Sequence, residues 1–449
     1  MQATHPINRR DFMRLSALGG AGLSLGWKAA PSTSRSIASS DKITVGMIAV
    51  GARAHQLIET IKQVPEVEIV AVCDAYTGRI ERAISRTGGR AQAVADYRAI
   101  LQRGDIDAVV IASPDHLHAR HAVAAMDAGK HLYIEKPLTY TIDEGLGIIE
   151  AQERNGVVVQ VGSTGVNGSL AHKAREMIAA GKLGQVTMVR AYTNRNTASG
   201  AWIYPIPPDA SPETVDWEMF LGSAPKHPFS LERFFRWRCY KDYSGGMATD
   251  LFVHQCTTIH FVMNVAMCES AVAMGGLYRW KNSRDVPDTI NASLAYPEGF
   301  LVSLSGTFNN RGGGGQGIQF LGTEGTLTMG RDLTFTPENV HEGNGWIVDS
   351  WPEKLEAAYW QDPRVRAEEM PWTQPQSVVP GAEVYQGEGI GSGLAHFQEF
   401  FDAVRKGTPT KEDAAVGHHA AACAHMANLS IDRGKVVHWD AEKDTVKAG

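Results

Sequence analysis

The sequence predicts an α/β protein: a doubly wound parallel sheet on the N-terminal side, then an α+β domain with an open, mostly antiparallel sheet. The first observation is a rhythm. Short apolar runs at 43–49, 67–73, 108–112, 131–134 and 157–161 alternate with helical patterns, clearest at 57–63, 97–103 and 118–128, as in a parallel sheet covered on both faces. The second is a change after Gly162. Strand-like runs at 270–278, 289–296, 301–308, 318–321 and 326–329 follow at short spacing, separated by turns such as Pro297-Glu298-Gly299 and Gly322-Thr323-Glu324-Gly325. The third is length, since 449 residues exceed one ordinary domain.

Element by element, the N-terminal sheet spans residues 41–165 and the second domain 166–449. A helix at 171–180 leads to a strand at 186–192, then to an irregular section rich in Trp, Pro and Arg (194–243). A helix at 248–262 precedes the strands, Gly312–Gly314 and the glycine after it form a loop, and 335–390 has no assignable pattern. Helices within 391–435 are expected to pack back on the core.

Bulk properties exclude several classes. A net charge of -6 gives no electrostatic ground for nucleic acid or an anionic membrane as partner. The five cysteines (Cys73, Cys239, Cys256, Cys268, Cys423) form no C-x-x-C pair and no zinc spacing, so neither a disulfide framework nor a metal site is expected. Residues 1–40 stand apart. Asn8-Arg9-Arg10-Asp11-Phe12-Met13-Arg14 precedes a short, Gly-rich apolar segment, which resembles a Tat export signal, too short for a stable membrane span. The expected location is periplasmic or otherwise extracytoplasmic. If the chain works with a coenzyme, export leaves it no diffusible pool, which favours a tightly held one regenerated in place.

The first strand runs into Ala49-Val50-Gly51-Ala52-Arg53-Ala54, where a dinucleotide fingerprint of a Rossmann fold would fall on Ala49, Gly51 and Ala54. Only the middle glycine is kept, the one that lets backbone approach a pyrophosphate. Asp74 closes the second strand, where a carboxylate accepts from the adenosine ribose or caps a helix. It favours NAD over NADP, while the nearby Arg79 keeps NADP possible. Ser113-Pro114 leaves a further strand toward the ribose and nicotinamide, followed by His116 and His118; no Cys or carboxylate cluster accompanies these to make a metal site.

Taken together, Ser113-Pro114-Asp115-His116-Leu117-His118, Glu135-Lys136-Pro137, Gly245-Gly246 with Asp250 and His254, and Gly322-Thr323-Glu324-Gly325-Thr326-Leu327 resemble the Gfo/Idh/MocA family of oxidoreductases. The resemblance runs from Lys42 to the C-terminus. It implies a Rossmann domain with Ala49, Gly51, Ala52, Arg53, Asp74, Arg79, Ser113, Pro114, His116, His118, Glu135 and Lys136 at the cofactor. It makes Lys136 the residue that meets both nicotinamide and substrate hydroxyl, His254 the acid/base, and Asp250 its substrate-binding partner.

The chemistry agrees. Oxidising a secondary alcohol removes its proton as hydride leaves carbon, which calls for a base of near-neutral pKa and a cation beside it. Asp250 and His254, four apart, share a helical face. Against these roles stand a surface lysine and a satisfied core histidine. Arg238, Tyr243 and Trp202 are candidates for the sugar pocket, with packing between the domains as the alternative for the tryptophans.

The expected function is hydride transfer at a sugar, glycoside or cyclitol hydroxyl. The alternative is an NAD-dependent glycosidase that oxidises C3 transiently, eliminates the aglycone, adds water and returns the hydride. The exported glycosidases of the family carry their histidine in a different Gly-rich sequence, which ranks the oxidoreductase first. The family is usually oligomeric, so a homo-oligomer through the C-terminal sheet is expected.

Overall fold

The computed structural model describes residues 42–338, 345–368 and 381–447; the expected export segment lies outside them. Six parallel strands form the first sheet: β1 (Ile43–Ile48), β2 (Val67–Cys73), β3 (Gln92–Ala93), β4 (Ala108–Ile111), β5 (His131–Ile134) and β6 (Val159–Val161), in the order β3-β2-β1-β4-β5-β6. Every residue of β4, β5 and β6 is buried, so both faces are covered, and this is why those strands read as unbroken apolar runs. The two-residue edge strand β3 is exposed and carries no such run.

The second sheet has ten strands: β7 (Val186–Asn194), β8 (Ser270–Gly276), β9 (Thr289–Tyr296), β10 (Phe300–Thr307), β11 (Gln316–Gly322), β12 (Gly325–Met329), β13 (Leu333–Pro337), β14 (Glu383–Tyr385), β15 (Val437–Asp440) and β16 (Thr445–Val446). Their order is β14-β13-β12-β11-β7-β10-β9-β8-β15-β16, and only the β7–β10 pairing is parallel. Here burial alternates along the longer strands, most clearly β9 and β10. Helices Val253–Met263 and Ala414–Arg433 cover one face, while Val272, Met274 and Leu301 stand exposed on the other.

The C-terminal helix Ser392–Lys406 returns to the first sheet. Phe397, Phe400 and Phe401, spaced i, i+3 and i+4, are fully buried there, and Phe397 stacks on Tyr133 of β5 at 4.3 Å between centroids. Truncating one of these rings costs about 3–5 kcal/mol. Among the described residues no helix is long and apolar enough to cross a membrane, and no three His, Cys, Asp or Glu side chains come together as a metal site.

Candidate active site

Two cavities bear on the site, linked by the ion pair of Arg238, which lines one, with Asp250, which lines the other. The first lies outside the carboxyl ends of β1, β2 and β4, the position at which open parallel sheets bind ligands. It is lined by Ala49, Gly51, Ala52, Arg53, Asp74, Arg79, Ser113 and Pro114 on one side, and by Tyr204, Phe234, Phe235, Trp237 and Arg238 of the second domain on the other. Ala49 takes φ +64, the left-handed conformation that makes glycine the usual residue. A Cβ built on Gly51 meets nothing nearer than the Arg79 guanidinium at 3.6 Å, and the helix Ala52–Ile61 opens behind it with no side-chain cap and no acid in its first turn. Open backbone before an uncapped helix N-terminus fits a pyrophosphate.

Asp74 is nearly buried and holds its own turn. Its carboxylate accepts the N–H of Val50 at 2.8 Å and of Tyr76 at 2.9 Å, and pairs with Arg79 at 3.5 Å. Arg79 also lies 5.1 Å over the rings of Phe234 and Phe235. The N-cap position of the following helix is Tyr76, which makes no side-chain cap, so Asp74 is a turn clamp rather than the helix cap, and it still lines the cavity. Arg53 pairs with buried Glu135 at 2.8 Å; Glu135 therefore stands behind the cavity wall.

The second cavity, of about 730 Å³, falls within the ~300–1,000 Å³ typical of small-molecule sites. Tyr192, Thr193 and Arg195 at the end of β7 line it, with Asp250, His254, Gln255 and Thr258 and a strap at 387–391.

Lys136 reaches from the first sheet to Asp250, which lines the second cavity. It follows β5, and its Nζ donates to Asp250 Oδ1 at 2.9 Å and to the Asp250 carbonyl at 2.8 Å. Arg238, on the cofactor side, donates from Nε to the same Oδ1 at 2.9 Å. Burial opposes the Asp250 charge, but these two cations outweigh it and hold the carboxyl well below its ordinary range.

The turn that presents Asp250 departs from the expected α-helix. Ala248–Phe252 is π-helical, a widened turn frequent at functional sites, and Val253–Met263 continues it as α-helix. The glycine pair before it is required: Gly246 has φ +65, and a Cβ there would sit 2.8 Å from that of Val286.

His254 stands exposed in the second cavity, its ring without a hydrogen-bond partner among the described residues. The surrounding walls and then the Lys136 ammonium push its pKa below the ordinary 6.5. The ring still meets water, so the depression is full only when ligands displace that water.

Five expected site residues lie away from the positions expected for them. His116 is buried, its Nε2 2.8 Å from the Phe220 carbonyl and its ring against Phe220 and Tyr243. His118 is buried between the carbonyls of Pro137 (2.7 Å) and Ser113 (2.8 Å), tying together the two loops rather than touching a ligand. Tyr243 and Trp202 are fully buried core rings, the latter edge-on to Phe308 at 4.8 Å. Arg238, expected in the sugar pocket, lines the cofactor cavity and clamps Asp250.

Two family models match the chain: the oxidoreductase family, NAD-binding Rossmann fold, over residues 43–163, and the GFO/IDH/MocA C-terminal domain over residues 222–328. The chain belongs to the Gfo/Idh/MocA oxidoreductase family. A glycosyl hydrolase family 109 protein of Shewanella sp. (strain W3-18-1) is 31% identical over 173 residues, 33% of this chain and 38% of that protein. Inositol 2-dehydrogenase of Salmonella paratyphi B is 32% identical over 148 residues, 33% of this chain and 43% of that protein. The chain thus spans less than half the length of these curated relatives. A levoglucosan dehydrogenase solved with NADH and levoglucosan shares the fold at TM-score 0.64 and 20% identity, over 89% of this chain and 99% of that one.

Proposed function

We propose that the protein is an NAD-dependent oxidoreductase acting on a ring hydroxyl of a sugar, glycoside or cyclitol. The ion cluster between the two cavities carries this reading: Asp250, in the cavity that holds an unpartnered histidine, binds both the Lys136 ammonium and Arg238 of the cleft at the carboxyl edge of the parallel sheet. NAD, when bound, supplies the hydride acceptor. His254, neutral near pH 7, takes the hydroxyl proton on a ring nitrogen. Two of the three Lys136 N–H donors go to Asp250, which leaves the third for the substrate oxygen as negative charge develops there. Lys136 and Arg238 exceed Asp250 by one positive charge, so the site favours an alkoxide. The names of the inositol and levoglucosan dehydrogenases support the substrate class.

A redox-neutral glycosidase is the second reading, supported by the family 109 relatives. The same base would serve both the oxidation and the removal of the carbon-bound proton next to a C3 ketone. Arg9-Arg10 and the apolar segment after it support export, with the cofactor carried along. The exposed Val272, Met274 and Leu301 support self-association through the second sheet. Division into 41–165 and 166–449 follows the two sheets, with helix Ser392–Lys406 crossing back.

The test is to purify the protein, denature it, and assay the supernatant for NAD(H) and NADP(H). Near-stoichiometric NAD together with aglycone release from glycosides favours the glycosidase. Reversible NAD binding with NADH formation from free sugars favours the dehydrogenase. No nucleotide and no binding would sink both.

A further inference from the structure

The cation of the second cavity that lacks a counter-ion is Arg195. Each of the other three arginines at the two cavities has its carboxylate, Arg53 with Glu135, Arg79 with Asp74 and Arg238 with Asp250. Arg195 has none among the described residues. Its backbone N–H donates to Thr307, 2.8 Å away, which fixes its root at the end of β7. Its guanidinium lies 5.9 Å from the Phe308 ring and gives one long bond, 3.3 Å, to the Gly200 carbonyl. The remaining donors of the half-buried fork have no partner among the described residues, and the residue lines the cavity that holds His254.

Two further features set the charge of this cavity. Lys136 and Arg238 already exceed Asp250 by one positive charge, and Arg195 adds to the positive field felt at His254. The eleven-residue helix Ser169–Ala179 also begins on the cavity wall, with no side-chain cap and no acid in its first turn, so its positive end faces the same space. The lining contributes one more carboxylate, Glu388 on the strap, which is exposed and hydrated. A neutral sugar would leave Arg195 without a counter-charge; an oxyanion on the substrate would supply one.

We propose that the substrate is an acidic sugar or its glycoside, with a uronate carboxylate received by Arg195. The proposal rests on the sugar-oxidising reading above and names the substrate class within it. Carboxylate and guanidinium are matched forks, so the contact would fix the ring as well as attract it.

The test compares glucuronate with glucose and galacturonate with galactose, using the full chain with NAD⁺. NADH formation gives the rates, and calorimetry at low and high salt gives binding. Expected is a kcat/KM advantage of roughly 10–100-fold for the acidic partner of each pair, the worth of a charged hydrogen bond. Binding of the acidic sugar should weaken at high salt. R195M should collapse the acidic-to-neutral ratio toward one, and R195K should keep part of it, since charge remains while the fork is lost. Equal rates within each pair, or a ratio that R195M leaves unchanged, overturns the proposal alone. Neutral sugars oxidised while uronates fail to bind does the same. No NADH from any of the four, in protein shown to bind NAD⁺, overturns the sugar reading and this proposal with it.

Discussion

Lys136 Nζ lies 2.9 Å from Asp250 Oδ1 and 2.8 Å from the carbonyl of the same residue, across 114 positions of sequence. A strand end of the first sheet and a π-helical turn beside the second are thereby fixed to each other at the point where hydride would pass. K136M removes the donor left for the substrate oxygen, and kcat should fall about 10²–10³-fold, as for loss of one oxyanion donor. Single-turnover NADH formation checks this, with circular dichroism to show the fold kept. Turnover within threefold of the parent protein would remove Lys136 from the chemistry.

Asp250 is a counter-ion before it is a ligand. In D250N the half-buried Lys136 and Arg238 face each other without a carboxylate, and the loss should approach the ~3–5 kcal/mol of breaking a buried pair. Urea unfolding of the cofactor-free protein measures it. A loss below 1 kcal/mol would mean that water already screens the pair.

Much of this was legible because local sequence constrains it. Strands buried on both faces must be apolar throughout, and Lys136, Asp250 and His254 sit in short motifs at a strand end and a helix start. Other features depend on tertiary placement. A tryptophan that stacks on a sugar and one that fills a core have the same local signature, so Trp202 was expected in the pocket and is in the core. Arg195 has no motif; its lack of a carboxylate partner emerges only once folding pairs Arg53 with Glu135 and Arg238 with Asp250. The edge strands β3, β14 and β16 have two or three residues each, too few for a period to show.

Ala49 occupies a left-handed conformation at φ +64. That costs an L-residue about 1–2 kcal/mol, while glycine adds roughly 0.5–1 kcal/mol of unfolded-state entropy. A49G should therefore stabilise the protein by a few tenths of a kcal/mol to about 1 kcal/mol. A49V, β-branched at the same φ, should lose stability and weaken NAD binding. Thermal melts and NAD titration test both; a destabilised A49G would mean that Ala49 packing outweighs its backbone strain.

With the neutral form of His254 as the proposed base, activity would depend on its staying unprotonated. Enclosure and the Lys136 cation depress its pKa below 6.5, and the proton-accepting form persists into mildly acidic solution. The acid limb of kcat/KM should therefore fall below pH 6.5, with activity lost as pH drops through the folded-state pKa. H254Q should lower kcat by about 10²–10⁴-fold and flatten that limb. An unchanged acid limb in H254Q would assign the base to another group.

Asp115 lies buried behind the Lys136–Asp250–Arg238 cluster, its Oδ2 accepting from the Ser244 hydroxyl at 2.8 Å. Burial, with Asp250 adding repulsion against the pull of Arg238 and Lys136, raises its carboxyl from 3.8 to about 7. A raised acid favours the folded state while protonated. Its contribution is full below the unfolded pKa and is lost as pH climbs from about 4 through about 7. The parent protein should thus lose on the order of 4 kcal/mol across that window at this position, roughly 3 of it between pH 5 and pH 8, and D115N, which cannot ionise, should not. Urea unfolding of both proteins at pH 5 and pH 8 decides it. Parallel pH profiles would show that Arg238 and Lys136 already hold Asp115 ionised in the folded protein.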